Sequence, residues 1–541
     1  MKLQSSTAVI AASLGVSLVA GAFLLLTERP ATSETRLGTV HFPISCPAVQ
    51  EKFDHAVSLV HNFFYPETVK AFQAIIAEDP SCAMAYWGLA ISQRPNPLVP
   101  PFPAANMKAA WDAIQQGKAA ATKTPREAAY LEAMEIYYKD YDTVDHKTRV
   151  GLYEQAMQRV SEQYPDDPEA RVFYALALNE AVDLNDKGLT KQRKAAAILT
   201  EETTKQPNHP GLAHYIIHSY DYAALAALCV PTANLYGQIA SGAPHALHMP
   251  SHIYSMLGMW DESIKSNLAS EAAAREYAAK NAPGTPAPRG PHGMDFRAYA
   301  YLQLGDDSSA KQVVEDAATV MSPPEASLTF DTALAAIPAR YALERGQWED
   351  AAQLAVRESR HLPAQSISRF ARTIGAARAG RPEEARAELA QLETIERSLT
   401  AAGDEYWSGQ SRIQIRAATA WILLAENRKD EAIAAMVDAA DLDDAAEKSI
   451  AMENKLLPMR ELLGELYQAV GMHKEALTAF DASLKVAPKR FRAFAGAARA
   501  AVAQDLTEGA RRHYGALIAL APDRDANRPD LIEAKAFLAQ N

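Results

Sequence analysis

Apolar residues along this chain recur at the spacing of helix faces. No long span alternates Val or Ile with polar residues, so the pattern predicts no sheet. The apolar stripes are set among Ala, Leu, Glu and Arg, all good helix formers. The pattern also repeats itself. "HKEALTAFDASLKVAP" at 473–488 is echoed by "TEGARRHYGALIALAP" at 507–522, with Ala476 over Ala510, Phe480 over Tyr514 and Pro488 over Pro522. Each offset is 34 residues, the period of a tetratricopeptide repeat. Gly-x4-Ala or Gly-x4-Ser recurs at 258–263, 305–310, 346–351, 380–385 and 471–476. The glycine is expected to end a first helix, the alanine to let the second helix pack against it, and the proline to end the pair. A single pair cannot bury its own stripe, so the pairs stack. The fold predicted is all-α, a tetratricopeptide-like solenoid.

The design begins early. "FDHAVSLVHNFFYPETVKAFQAIIAEDPSCAMAYWGLA" at 53–90 sets Ala56, Phe72, Ile75 and Pro80 at repeat positions. Two proline-rich segments, 93–103 and 281–291, interrupt the array as loops. At 541 residues the chain exceeds one ordinary core. We divide it into a leader at 1–35, an N-terminal helical-repeat region at 36–325 and C-terminal repeats at 326–541. The leader opens Met-Lys and runs apolar from Ala8 to Leu26, which fits a cleaved export signal or a membrane anchor. Either places the body outside the cytoplasm, in the periplasm or beyond. There, Cys46 and Cys82, one repeat apart, are either disulfide partners or two separate buried thiols. The net charge of −12 and the absence of a basic block argue against nucleic acid.

Histidine changes the picture. The chain has 14, so an 84-residue window should hold about two. Residues 209–292 hold seven: His209, His214, His218, His245, His248, His252 and His292. His214 and His218 are four apart and share a helix face, as do His248 and His252. We expect first helices near 210–221, 250–257 and 294–304 to lie side by side, so that these imidazoles converge on the concave face. His214, His218, His248, His252 and His292 are the expected ligands of a transition metal, copper, iron or zinc. Asp295, Asp221 and His245 are the expected catalytic or accessory groups. Two ions fit if Asp221 and His245 join. The alternatives are a hydrogen-bonded histidine network or a pH-sensitive face. His209, ahead of Pro210, reads as a helix cap. His61, Tyr65, Tyr86 and Trp87 read as hairpin core. No nucleotide loop, nucleophile elbow or His-Glu-x-x-His motif is present.

The blocks "AHYIIHSYD", "PHALHMPSHIYSMLGMWDESIKSN" and "HGMDFRAYAYLQLGDD", with the N-terminal pair, resemble a group of bacterial tetratricopeptide-repeat-like proteins. The resemblance covers roughly 45–310 closely. It implies a helical-repeat fold and motif roles for His214, His218, His245, His248, His252 and His292, and it carries no reaction. Two functions follow from the residues. One is an exported metal-dependent enzyme, oxidative or hydrolytic, acting on a small molecule or peptide in the groove. The other is a scaffold that binds peptides or proteins, chiefly on the C-terminal repeats.

Overall fold

The computed structural model describes residues 36–281, 290–323, 326–448, 455–522 and 528–540. The apolar run from Ala8 to Leu26 and the centre of the second proline-rich loop lie outside them. The described residues form helical hairpins stacked in chain order, from Gln50–His61 with Tyr65–Glu78 to Phe491–Val502 with Thr507–Leu520. An isolated bridge between Cys82 and Thr122 is the sole β pairing among the described residues. The protein is an all-α, tetratricopeptide-like solenoid. None of the described helices is long and apolar enough to cross a membrane.

The repeat logic is visible in the turns. Gly258, Gly305, Gly346, Gly380 and Gly471 all adopt left-handed backbone, with φ between 64° and 83°. Five residues later Ser263, Ala310, Ala351, Ala385 and Ala476 are each fully buried against the first helix. Two further turns use the same geometry without glycine. Asn427 (φ 63°) precedes buried Ala432, and Asp505 (φ 55°) precedes buried Ala510. Asn and Asp tolerate this conformation better than other residues with a Cβ. Between helices a large ring interlocks with a bare backbone. A Cβ at Gly464 or Gly496 would come within 2.8 or 2.3 Å of the Phe480 ring, and one at Gly88 within 2.1 Å of Phe72.

Cys46 and Cys82 are joined in a disulfide, with their Cα atoms 5.8 Å apart. Of the two expectations for this pair, the bonded one holds.

The array curls back on itself, where an open groove was expected. Arg490 of the late repeats is fully buried between Glu344 and Glu461 and donates to Tyr299 Oη at 2.9 Å. The Trp260 indole donates to the carbonyl of Lys489, and Gln303 accepts from the Phe491 amide. Lys448 reaches Asp221 across 227 residues of sequence. The closure leaves a partly open cavity of about 630 Å³ between the early and late repeats, on the concave side.

Candidate metal centre

Four helices bring the histidines together: Pro210–Tyr220, Pro244–His248, Pro250–Met256 and Pro291–Gln303. Each begins with proline at its first position, where a missing N–H costs nothing. His209 caps the first of them, its Nδ1 accepting from the Leu212 amide at 3.3 Å, as the sequence suggested.

The imidazoles meet as two separate triads, and this differs from the single convergent set expected. His214, His218 and His245 form one, and His248, His252 and His292 the other. Within each, the nearest ligand atoms all lie within 4.8 Å of one another. His245, expected as a catalytic or accessory group, sits on a short helix as a full member of the first triad. Its Nε2 is 3.1 Å from His214 Nε2, and His218 Nε2 is 3.0 Å from the same atom. In the second triad His248 Nε2 and His252 Nε2 are 3.1 Å apart. The triads adjoin, with the His245 and His248 rings 6.2 Å apart. His214 and His218 precede His248 and His252 by 34 residues each, one repeat. The same four-residue pairing therefore recurs one repeat later, although His248 ends the short helix Pro244–His248 and His252 stands on the next one, Pro250–Met256, where a single helix was expected.

Each triad is closed by one phenylalanine. Phe63 packs on His214, His218 and His245 at 4.4, 5.9 and 5.5 Å. Phe296 packs on His248, His252 and His292 at 5.2, 4.8 and 5.2 Å. His214, His218, His248 and His252 are buried, whereas His245 and His292 are half-buried. The imidazoles therefore line an interior seam, not an open groove face.

The partners of the other ring nitrogens decide which nitrogen carries hydrogen. His214 Nδ1 lies 2.6 Å from the His61 carbonyl and must donate to it. His248 Nδ1 lies 2.6 Å from Asn267 Oδ1, and Asn267 donates its own amide hydrogen to Ser263. His252 Nδ1 donates to Asp221 Oδ2 at 3.0 Å. In all three the neutral ring then has a bare lone pair at Nε2, inside its triad. His218 Nδ1 is buried without a partner among the described residues. Burial, with repulsion from neighbouring imidazoles and Lys448, holds the titration of His214, His218, His245, His248 and His252 well below the usual histidine range. Near neutral pH these rings are uncharged.

The two carboxylates expected here have other duties. Asp221 is buried behind the second triad, where it orients His252 and accepts Lys448 Nζ on both oxygens at 2.7 Å. Burial pushes its carboxyl up, against the pull of Lys448. Asp295 departs further from expectation. Its three-residue spacing from His292 does not bring it into the triad, and Arg340 takes both its oxygens at 3.0 Å.

A third histidine group behaves differently. His61 Nε2 and His209 Nε2 flank Glu169 at 3.1 and 2.8 Å, and His61 Nδ1 meets Tyr215 Oη at 2.9 Å. Both ring nitrogens of His61 and of His209 have a compatible partner, so this network is complete without an ion. Burial raises the Glu169 carboxyl, but attraction to His209 and His61 wins and holds it below the usual range. The sequence offered no sign of the His61 carbonyl, Asn267 or Lys448 as supports. The 34-residue offset of the two pairs was there to be read.

No family model and no curated protein matches the chain. Among solved structures it is similar to a chain of the crystal structure of the APC/C hetero-tetramer Cut9-Hcn1. That match has 10% identity and a TM-score of 0.28, over 91% of this chain and 97% of that one. The human IFIT1 dimer with PPP-AAAA aligns at 10% identity and a TM-score of 0.39, over 82% of this chain and 91% of that one. Scores this low carry no argument about function, and the fold assignment stands on the helices themselves.

Proposed function

We propose that the six imidazoles hold two transition-metal ions, copper, iron or zinc, one per triad, in an exported metal-dependent enzyme of oxidative or hydrolytic type. One observation carries the reading. His248 and His252 have both spent their Nδ1 hydrogens, on Asn267 and Asp221, and still face each other at 3.1 Å through Nε2. Two lone pairs at that distance repel unless a cation lies between them. A proton is disfavoured, because burial holds both rings neutral. A metal fits. With metal–nitrogen bonds of about 2.0–2.1 Å, cis nitrogens stand about 2.9 Å apart at a right angle and about 3.3 Å apart at the tetrahedral angle. The separations of 3.0 and 3.1 Å in the two triads fall in that interval.

Imidazoles without a carboxylate ligand favour copper, zinc or iron over magnesium and calcium. An ion held this way supplies Lewis acidity toward water or a binding place for dioxygen. The chain's own groups do the preparation. Asp221, Asn267 and the His61 carbonyl fix which nitrogen each ring offers. Phe63 and Phe296 exclude water and lock the rings. Half-buried His245 and His292 mark the side from which a reactant would arrive. Export is supported by the Cys46–Cys82 disulfide, a bond that persists in oxidising compartments. A scaffold that binds a protein or peptide on the C-terminal repeats is the second reading, favoured by the concave cavity.

The deciding measurement is elemental analysis of residues 36–541 purified without a tag. Two equivalents of metal in the wild type, lost in a His214→Ala, His252→Ala double variant, support the centre. No metal bound, and none taken up from added zinc, copper or iron, leaves the scaffold reading in its place.

A further inference from the structure

The concave cavity of about 630 Å³ lies within the range of small-molecule sites, roughly 300–1,000 Å³. Trp407, Gln410 and Gln414 line it from one face of the helix Glu405–Ala425, at spacings of three and four. Tyr222 and Trp260 supply aromatic surface from the opposite, histidine-bearing repeats. Lys448 stands where the two walls meet.

A tally of hydrogen-bonding groups leaves donors in surplus. The acids that line the cavity are already engaged. Lys455 takes Asp443 at 2.6 Å, Arg460 takes Asp444 at 2.8 Å, and Lys187 faces Glu447 at 3.6 Å. Gln414 has its amide oxygen occupied by the Ser366 hydroxyl at 2.9 Å, which leaves its NH2 to donate. The Trp407 ring lines the cavity, while its indole N–H is buried away from it. Lys448 has three hydrogens and spends two on Asp221. Its third has no acceptor among the described residues. Aromatic walls with a surplus of donors and an ammonium at the base suit one class of ligand, a planar apolar body bearing an anionic group.

We propose that this cavity binds a small aromatic carboxylate, its anionic group taken by Lys448 and Gln414 and its ring packed beside Trp407, and that occupancy is felt at the second histidine triad through Asp221. The coupling is electrostatic. A carboxylate drawn onto Lys448 offsets the ammonium that otherwise sits two contacts from His252, so a cation at the triad meets less repulsion. Carboxylate binding stands without the metal reading of the preceding section, whereas the coupling rests on it.

The test uses residues 36–541, metal-free and metal-loaded, with benzoate and phenylacetate as probes and their neutral amides as controls. Tryptophan fluorescence and calorimetry follow binding. The acids are expected to bind the metal-free chain and the amides to bind about 10–100-fold more weakly, the span of one charge-assisted contact. Lys448→Met and Gln414→Leu should each weaken the acids within that range while the far-ultraviolet circular dichroism stays native. Either variant alone suffices if the other fails to fold. In the loaded protein benzoate should tighten metal binding about fivefold or more, and the metal should tighten benzoate by the same factor, since linkage is reciprocal. Acid binding to the metal-free chain without that coupling retains the cavity and rejects the link to the triad. No preference for acids over amides, or undiminished binding in Lys448→Met, overturns the proposal. So does binding that appears only with metal and vanishes in His252→Ala, which would put the carboxylate on the ion. Capture of a peptide C-terminus in preference to both probes would also refute it and return the cavity to the scaffold reading.

Discussion

Removing His252 should remove one ion and leave the other. Among the imidazoles His252 packs only within the second triad and feels the first through electrostatics alone, while the three Nε2 atoms of His214, His218 and His245 converge without it. The thermal consequence can be worked out. A ligand at 100 times its dissociation constant stabilises the folded state by about 2.7 kcal/mol, so two ions contribute about 5 kcal/mol. Unfolding entropy is about 2.1 cal/mol/K per residue, or about 0.6 kcal/mol/K for a cooperative unit of ~300 residues around the centre. The wild type should therefore gain about 8 °C in Tm on loading, and His252→Ala about half of that. His218→Ala should give the mirror result, keeping the ion of the second triad. Calorimetric scans of metal-free and metal-loaded protein, with metal counted by elemental analysis, read both quantities. Loss of both ions in His252→Ala would show that the triads act as one site. A full shift retained in that variant would show that the added metal sits elsewhere. Either outcome refutes the partition.

Asp221→Asn removes the charge behind His252 and the anchor of Lys448, so metal affinity at the second triad should fall about 10–100-fold in calorimetric titration, with a smaller fall at the first, which feels Asp221 only through the field at His218. The metal-free chain should be acid-sensitive. Five imidazoles titrate well below the usual range when folded, whereas unfolded histidine binds its proton near 6.5. Below that pH the unfolded state holds more protons, so stability falls as pH drops through about 6.5, by about 1.4 kcal/mol per pH unit for each ring. Urea midpoints between pH 7.5 and 5.5 check this, and a flat profile would contradict it. Arg490→Met leaves Glu344 buried without its arginine and Glu461 with Arg492 alone at 3.5 Å, and should cost about 3–5 kcal/mol in urea unfolding.

Most of the repeat frame could be read from residues alone, because its turn chemistry is local. A left-handed turn followed by a fully buried small residue writes Gly-x4-Ala into the sequence wherever glycine fills the turn. The glycine motif misses Asn427 and Asp505, which bear the same φ with a Cβ, and the repeat after Asp505 was found through its 34-residue offset instead. The imidazoles were also legible, since few structural duties concentrate seven histidines in one window. Their division was not. It depends on His245 lying on a short helix aimed back at His214, and on His292 reaching His248 and His252 from the next repeat. Asp295 misled for a related reason. A carboxylate three residues from a histidine shares its helix face, but the neighbouring helix offers Arg340 at that height, and the bidentate guanidinium engages both its oxygens.

The supports of the centre were invisible for a deeper reason. A backbone carbonyl, here that of His61, has no residue signature. Lys448 is 227 residues from Asp221, and only the curl of the whole array brings them within 2.7 Å. That curl links architecture to chemistry. In an open solenoid Asp221 would lack Lys448, and a buried carboxylate would face His252 without a countercharge. Burial would then favour its protonated form, which orients an imidazole less firmly. The closed array supplies the cation from the far end of the chain and so keeps the carboxylate available to His252. The late repeats therefore act on the histidine centre without contributing a single imidazole to it. A truncation that ends before Lys448 should weaken the second triad first, even where the early repeats still fold.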